Sequence, residues 1–307
     1  MGRPLRDFAG FVGQATIVGS LKRLADGAKS HGLPVPWQLF QGPAGYGKTS
    51  LARSLARHYG SEFHLLLGSR LAPEALAATL TRLNDCDIVL VDEAHALPHA
   101  TQTALLLASD EQKVPALDDK RQQVLLSIAP LTVILATNRA GMVSEALRSR
   151  CDPVTFADYG EAELIEIARR VGDSMGLGLT GQAARRIAQQ AHGRPRGVVR
   201  RLERVRLLLG IGVTSISINE VEDALRSEGI DEHGLDRSQR TYLDLLSVHG
   251  RMSIERLALL SFIDEDMLRT DVEPPLIRAG FIDCGPGGRR LVRDPRKPSA
   301  SPSLEQP

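Results

Sequence analysis

An eight-residue stretch matches the pattern that binds the phosphates of a nucleotide. Residues 42–49 read Gly-Pro-Ala-Gly-Tyr-Gly-Lys-Thr and fit G-x-x-x-x-G-K-[ST]. Its glycines (Gly42, Gly45 and Gly47) let backbone N–H groups approach phosphate oxygens where a Cβ would intrude. We expect Lys48 to reach the β- and γ-phosphates and the Thr49 hydroxyl to hold Mg²⁺. The alternative interpretation is a glycine-rich turn that only caps a helix.

Two carboxylates follow a continuous apolar run. Residues 88–91 are Ile-Val-Leu-Val, which suits a strand buried on both faces, and Asp92 and Glu93 come next. Ligands bind at the carboxyl ends of strands in such sheets. We expect Asp92 to join the Mg²⁺ shell and Glu93 to orient and deprotonate the attacking water. An Asp-Glu pair at a strand end is weak evidence alone, but its place after the phosphate loop strengthens it.

Two further polar residues fit the same chemistry. A second apolar run, residues 132–137, ends at Asn138. Its amide is expected to hydrogen-bond the water or the γ-phosphate, although an Asn can also simply end a strand with a turn. Shortly after, residues 145–151 include Arg150, an arginine that could serve the nucleotide of a neighbouring subunit.

Positioning these side chains requires a parallel sheet with helices. The segment 37–40 reads as a strand entering the phosphate loop, and 48–59 carries apolar residues at helical spacing behind it. A strand at 62–67 and a helix at 73–83 continue the alternation. This pattern predicts an α/β fold for the first half of the chain.

The second half is predicted to be mainly helical, without a further buried strand. Four helices are expected at 161–174, 181–192, 195–209 and 218–228. A polar segment, 229–236, leads to helices at 237–247, 253–260 and 265–279. A Gly/Pro loop at 285–288 then precedes Arg289 and Arg290. Three helices and a basic hairpin are typical of a winged helix, which contacts either DNA or protein.

Composition narrows the class of protein. The chain has 307 residues, 42% of them hydrophobic, and no apolar run long enough to span a bilayer. Its start lacks an apolar signal segment, so we expect a cytoplasmic protein. Three cysteines without C-x-x-C spacing predict neither a disulfide nor a zinc site.

Positive charge is concentrated in one part of the chain. The whole chain has a net charge of +1, but residues 169–206 contain ten Arg and two acidic residues. A face that meets polyanions would need such segregation, although a run of arginines on helices also occurs on ordinary solvated surfaces.

The order of these parts resembles an AAA+ ATPase, and specifically the RuvB family of hexameric motors that drive Holliday-junction branch migration. The resemblance covers about 290 residues. The stretches that carry it are 3–4, 11–14, 42–49, 92–95, 136–141, 147–150, 193–196, 231–236 and 273–281. The last two lie outside the generic ATPase core and therefore point to this family.

The resemblance implies three domains and a tail. It predicts an AAA+ P-loop NTPase core with a parallel sheet at 1–157, a helical lid at 158–230 and a winged-helix domain at 231–295. Residues 296–307, rich in Pro and Ser, are expected to be disordered.

The resemblance also implies roles for residues that spacing alone does not assign. Arg150 resembles an arginine finger acting in trans, Asn138 resembles sensor 1, and Arg196 resembles the sensor 2 arginine. Arg289 falls where a wing arginine contacts DNA, with Arg290 beside it. The remaining residues that line the nucleotide in this family are Arg3, Ser50, Tyr159 and the 109–111 region.

By resemblance, the expected ligands are ATP, Mg²⁺ and duplex or four-way junction DNA, and the expected assembly is a hexameric ring. A RuvA-like partner stays open, because the family's docking hairpin, here between Asp110 and Leu131, has a reduced apolar tip. Cys284 and Gly287 stand where the family has wing arginines. The expected function is an ATP-driven motor for Holliday-junction branch migration.

Two alternatives to the motor remain. The Ser149-Arg150-Cys151 triplet also resembles the finger motif of clamp loaders, which suggests an ATPase that loads or regulates a protein without branch migration. A non-enzymatic assembly scaffold that binds ATP is the other alternative. Intact Glu93 and Arg150 argue against the scaffold, which has no need of either.

Overall fold

The computed structural model describes residues 8–117, 122–210 and 212–297. Arg3 and residues 298–307 therefore lie outside the described part of the chain. Two compact units are present: residues up to 167 together with 193–196, and residues 168–192 together with those from 197 onward. Among the described helices, none combines the length and apolar character needed to cross a membrane.

The first unit alternates strands and helices as the sequence predicts. Its elements in chain order are α1 (Ala15–Ser30), β1 (Gln38–Gln41), α2 (Lys48–Tyr59), β2 (Phe63–Leu67), α3 (Pro73–Leu80), β3 (Ile88–Asp92), α4 (His99–Glu111), β4 (Lys113–Leu117), β5 (Gln123–Ser127), β6 (Thr132–Thr137), α5 (Glu145–Arg148) and β7 (Asp152–Thr155).

Five of these strands form one parallel sheet in the order β2-β3-β6-β1-β7. Gln41 at the end of β1 is in register with Thr137 at the end of β6, and Asp92 at the end of β3 is in register with Leu67. Since all five strands run the same way, the phosphate loop, the two acids and Asn138 follow strand ends at one edge.

The sheet is held by apolar side chains on both faces. β6 is buried along its whole length, and β3 is buried up to Asp92. Behind the phosphate loop, the predicted helical stripe of α2 is fully buried: Leu51, Ala52, Leu55 and Ala56 each have 0% exposure. Burying a leucine side chain contributes about 1.5–3 kcal/mol, so this stripe anchors the loop to the sheet.

An antiparallel hairpin extends from this unit. β4 pairs with β5 from Lys113↔Ser127 to Leu117↔Gln123. Leu117 and Leu125 are each 53% exposed. The hairpin therefore exists where the family resemblance places it, and residues 118–121 at its tip lie outside the described part of the chain.

The following helices match their predicted positions closely, with one addition. They are α6 (Glu161–Ser174), α7 (Gly181–Gln189), α8 (Pro195–Leu209) and α9 (Ile218–Ser227). The expectation of no further buried strand was wrong in one detail. A two-residue parallel pair joins β8 (Gly178–Leu179) to β9 (Ser215–Ile216), and Ile216 is 0% exposed.

The last part of the chain folds as three helical segments and a hairpin. The first two segments are α10 (Arg237–His249) and α11 (Ile254–Ser261), and the third runs through α12 (Glu265–Met267), a π-helical turn (Leu268–Val272) and α13 (Glu273–Arg278). The hairpin pairs β10 (Ile282–Gly285) with β11 (Gly288–Leu291). Leu243, Leu257, Leu268 and Leu276 form its core, each at most 1% exposed. This is the winged-helix layout that the sequence predicts.

Candidate nucleotide site and winged-helix arginines

The phosphate loop connects β1 to α2 as the motif requires. Gly45 and Gly47 adopt left-handed backbone conformations with φ of 85° and 89°, which glycine reaches without a steric cost. Gly47 precedes α2 and no side chain caps the helix start. The first N–H groups of α2, with Ser50 partly buried in its first turn, are therefore left for an anion.

Lys48 is bound to the loop itself. Its Nζ donates hydrogen bonds to the carbonyl oxygens of Gly42 at 2.7 Å and Pro43 at 2.8 Å, and the residue is only 9% exposed. Burial lowers the pKa of Lys48, the Asp92 carboxylate opposes this, and Arg196 lowers it further. A bound phosphate group would place negative charge beside the buried ammonium and stabilise its charged form.

Thr49 and Asp92 meet beside the loop. The Thr49 hydroxyl donates to Asp92 Oδ2 at 3.2 Å, and Asp92 Oδ1 accepts the Glu93 N–H at 2.9 Å. A hydroxyl and a carboxylate are the oxygen ligands that Mg²⁺ takes together with water and phosphate oxygens. The described residues contain no cluster of three or more His, Cys, Asp or Glu that could hold a metal alone. The residues present thus fit a metal that is held jointly with a nucleotide.

Glu93, the first residue after β3, has a left-handed backbone conformation. It has φ of 55° and ψ of 41°, and its side chain is exposed. Gly68, just after β2, lies against its backbone, since an added Cβ there would be 2.5 Å from the Glu93 carbonyl oxygen. The sequence alone does not single out Gly68, whose only signal is that it follows a predicted strand.

Asn138 is exposed directly after β6, at the same edge. The residue before it, Thr137, is 2% exposed and accepts the Arg139 N–H at 2.9 Å. The Thr137 hydroxyl also lies 3.2 Å from His95 Nδ1. His95 is therefore a hydrogen-bonding histidine, and it links the segment after β3 to the end of β6.

Two other segments are hydrogen-bonded to the phosphate loop. The Tyr159 hydroxyl donates to the Tyr46 carbonyl oxygen at 3.0 Å, and the Tyr46 hydroxyl donates to Asp158. The Arg196 N–H donates to the Gly45 carbonyl oxygen at 3.3 Å. Burial raises the pKa of Tyr159, so this hydroxyl stays protonated. The structure thus brings Tyr159 and Arg196 to the loop, where the resemblance implied them.

Arg150 is hydrogen-bonded within its own chain. Its Nε and Nη2 donate to the two carboxylate oxygens of Asp110 at 3.1 and 2.9 Å, and Nη1 donates to the Ala146 carbonyl and the Ser149 hydroxyl. The Asp110 carboxylate raises the pKa of Arg150. Among the described residues, none of the hydrogen bonds of the Arg150 side chain reaches the phosphate loop. Next to it, burial raises the pKa of the Cys151 thiol to about 12.

The two wing arginines have different surroundings. Arg289 Nε donates to Glu273 Oε1 at 2.8 Å, and the Tyr242 hydroxyl donates to the same oxygen at 2.8 Å. The Arg289 and Glu273 side chains are 14% and 6% exposed. Arg290 is 55% exposed and pairs with Asp283 at 2.9 Å. Arg289 is therefore bound within the domain, whereas Arg290 lies at its surface.

Other sequence predictions concern cysteines. Cys86, Cys151 and Cys284 are free thiols in the structure. Cys284 is exposed in β10 opposite Arg289.

Comparison with protein families yields two matches in the expected order. Residues 3–155 match the model described as the Holliday junction DNA helicase RuvB P-loop domain. Residues 232–295 match the RuvB C-terminal winged helix domain. The two matches together cover well over half of the chain.

Solved structures agree with this. The chain is similar to the Thermotoga maritima RuvB Holliday junction branch migration motor, with 29% identity and a TM-score of 0.77, over 94% of this chain and 95% of that one. One mutant of that protein matches with a TM-score of 0.78 at 29% identity, over 95% and 96%. Another matches with a TM-score of 0.76 at 29% identity, over 93% and 94%.

Proposed function

This chain belongs to the RuvB family, and from that premise we propose that it is an ATP-driven DNA motor that moves four-way junctions. Hydrolysis would occur between identical subunits of a ring, with a hexamer as the expected form. One observation carries the proposal. Lys48, Thr49, Asp92 and Glu93 lie at one edge of the sheet, whereas Arg150 is bonded away from the loop of its own subunit.

ATP binding begins with an exchange of hydrogen bonds. Lys48 would leave the carbonyl oxygens of Gly42 and Pro43 for the β- and γ-phosphates, and the free N–H groups of α2 would hold the same charge. Thr49 and Asp92 would hold Mg²⁺, which, when bound, neutralises charge on the β- and γ-oxygens. Hydrogen bonds from Tyr159 and Arg196 to the loop would keep it in place.

Hydrolysis needs a base, and the proposal gives this role to Glu93. A water oxygen would bond to the γ-phosphorus, the bond to the β–γ bridging oxygen would break, and Glu93 would take the proton from the water. Asn138, exposed at the adjacent strand end, would orient that water. The exposure of the Glu93 side chain supports this role, because a buried carboxylate would not reach solvent.

Arg150 would complete the site of the next subunit. An arginine finger stabilises charge in the transition state, and its contribution in related sites reaches roughly 10³- to 10⁵-fold in rate. To reach a neighbour's γ-phosphate, the guanidinium has to release Asp110, because two anions compete for the same donors. We therefore infer that Arg150 exchanges its ion pair with Asp110 for the neighbour's γ-phosphate when the ring assembles with ATP bound.

A second candidate function follows from the ion pairs of the wing. Arg289 and Arg290 are both paired with carboxylates, which reduces the charge offered to DNA phosphates. This observation favours the clamp-loader-like or regulatory ATPase over the motor. The composition of the Arg-rich segment 169–206 supports the motor, since its ten arginines outnumber its two acidic residues.

One variant tests whether the chemistry is assigned correctly. Glu93→Gln should bind ATP as tightly as the wild type and lose turnover, because the amide cannot accept the water proton. Release of inorganic phosphate and a nucleotide-binding titration measure the two effects. Turnover at the wild-type rate in Glu93→Gln would show that another group is the base.

A junction assay separates the two functions. Purified protein with ATP and a labelled synthetic four-way junction should exchange strands, alone or with a RuvA-like protein, and should not do so with ADP. DNA-stimulated phosphate release without strand exchange, under both conditions, would instead identify the loader or regulator.

A further inference from the structure

The segment between α9 and α10 is folded, although its composition suggested a polar link. We call residues 229–236 the interdomain turn. Asp231 closes it: its Oδ1 accepts the N–H groups of His233 at 3.0 Å and Leu235 at 2.9 Å, and its own N–H donates to the Leu235 carbonyl at 3.0 Å. Asp236 at its end caps α10 through a capping box with Gln239. The turn therefore has a defined shape of its own.

Arg186 of α7 and Gln190, the residue that caps the end of α7, lie on one side of the turn. Arg186 and Gln190 are four residues apart and so share a helix face. Arg186 Nη2 donates to the carbonyl oxygens of Asp231 at 3.4 Å and Glu232 at 3.2 Å, while its Nε donates to Glu222 of α9 at 2.7 Å. The Arg186 side chain is 12% exposed.

The Gln190 side chain packs directly against Gly234 of the turn. It is 6% exposed, and a Cβ added at Gly234 would lie 2.2 Å from its Nε2. Gly234 also has φ of 81°, which favours glycine. The turn thus packs directly against α7, with no side chain between them at this point.

Arg240 of α10 holds the same turn from the winged-helix side. Its Nη2 donates to the Gly229 carbonyl at 2.9 Å and its Nη1 to the Leu235 carbonyl at 3.5 Å. Nη1 also lies 3.7 Å from Asp231 Oδ2. The turn is consequently bonded to the lid through Arg186 and to the winged helix through Arg240.

We propose that Arg186 couples the lid to the winged helix, so that displacement of the lid during hydrolysis is transmitted to DNA through the interdomain turn. A free polar linker of eight residues would bend and absorb such a displacement. A turn fixed by charge-assisted hydrogen bonds from both sides passes it on. The inference rests on the proposed motor function. Arg186 acts here through the turn and touches neither nucleotide nor DNA, so it is a positioning residue.

The test compares ATP hydrolysis with junction movement in the full chain. Arg186→Gln removes the charge and the paired donors, so junction movement per ATP hydrolysed should fall about tenfold or more. The ATPase rate should stay within about twofold of the wild type, because the bonds that the described structure gives Arg186 go to Glu222 and to the interdomain turn. Strand exchange and phosphate release are measured in the same samples.

Arg226→Gln is the matched control. Arg226 also lies in the lid and loses the same charge, but it is 71% exposed and, among the described residues, forms an ion pair with exposed Asp223 at 3.5 Å. Such a surface pair contributes little, so movement per ATP should be unchanged. Glu222→Gln removes one carboxylate and leaves the two carbonyl bonds of Arg186, so it should retain most of the coupling.

Proteolysis tests the turn without any activity measurement. A protease specific for Asp and Glu should cut Arg186→Gln within residues 228–232 much faster than it cuts the wild type or Arg226→Gln. The inference is overturned if Arg186→Gln keeps wild-type movement per ATP. It is also overturned if ATPase, movement and melting temperature all fall together, since that indicates a purely structural role. Wild-type protein that hydrolyses ATP without moving junctions would overturn the motor itself, and the coupling with it.

Discussion

Glu93 and Gly68 show how closely single residues are fitted at the strand ends. The left-handed conformation of Glu93 costs a non-glycine residue about 1–2 kcal/mol. Its carbonyl oxygen accepts the Ala96 N–H at 2.8 Å and lies where a Cβ at position 68 would come within 2.5 Å. The atoms that would have to move are backbone, so the strain cannot be relieved by a side-chain rotation.

Gly68→Ala should therefore reduce turnover more than nucleotide binding. Displacing the Glu93 backbone by a fraction of an ångström misplaces the base, and we expect kcat to fall roughly 10- to 100-fold. The affinity for ATP should stay within about twofold, because Lys48 and Thr49 are untouched. Steady-state phosphate release and a binding titration give the two values.

Gly141→Ala is the control for this change. Gly141 lies close to Asn138, but an added Cβ would have no atom within 4 Å. Its kinetics should match the wild type. Normal kcat in Gly68→Ala, or a loss of ATP binding equal to the loss of turnover, would contradict a role in positioning Glu93.

Among the elements, β11 carries two neighbouring arginines with opposite surroundings. Side chains alternate between the faces of a strand, so when Arg289 points toward α10 and α13, Arg290 points away from them. Arg289 bonds with Glu273, and Glu273 also accepts the Tyr242 hydroxyl. The wing is thus joined to two helices through one mostly buried ion pair.

The two arginines should respond differently to truncation. Arg289→Ala leaves the Glu273 carboxylate buried without its cation, which should reduce the free energy of unfolding of the winged helix by about 3 kcal/mol. Arg290→Ala should leave stability nearly unchanged and weaken DNA binding, with the salt dependence of binding reduced by about one counterion. Thermal unfolding and DNA titrations at several salt concentrations separate the two effects. A stable Arg289→Ala that has lost DNA binding would instead place Arg289 on the DNA.

For the whole molecule, the proposed role of Arg150 would make each site depend on two subunits. Each of Arg150→Ala and Lys48→Ala should hydrolyse ATP poorly alone, by about 10³-fold or more for the finger. In a mixed ring, an Arg150→Ala subunit still offers its phosphate loop, and a neighbouring Lys48→Ala subunit still offers its arginine. Mixing the two variants should therefore restore part of the activity, with an optimum at intermediate ratios.

Phosphate release across a mixing series measures this rescue. The control is each single variant, taken through the same mixing procedure at the same total protein concentration. A mixing series that stays at the level of the separate variants, in samples shown to contain mixed oligomers, would exclude a shared site.

Local patterns in the sequence determined the elements and the chemistry that they carry. The phosphate loop, the Asp92-Glu93 pair and the helices from α6 to α11 depend on residues close together in the chain, and their spacing identifies them. The capping box of Ser217 with Glu220, which starts α9, is local in the same way and is present in the structure. The two-residue β8–β9 pair was missed because two residues are too few to show a strand period.

Only the tertiary structure decided which distant groups meet. Asp110 binds Arg150 across forty positions, Thr137 meets His95 across forty-two, and Gly68 packs against Glu93. Alternation along β11 predicts that its two arginines face opposite ways, but not which one points inward. The interdomain turn looked like an ordinary polar linker because Arg186, which holds it, lies 45 residues earlier. These contacts depend on how strands and helices pack, and a one-dimensional pattern carries no information about packing between elements far apart in the chain.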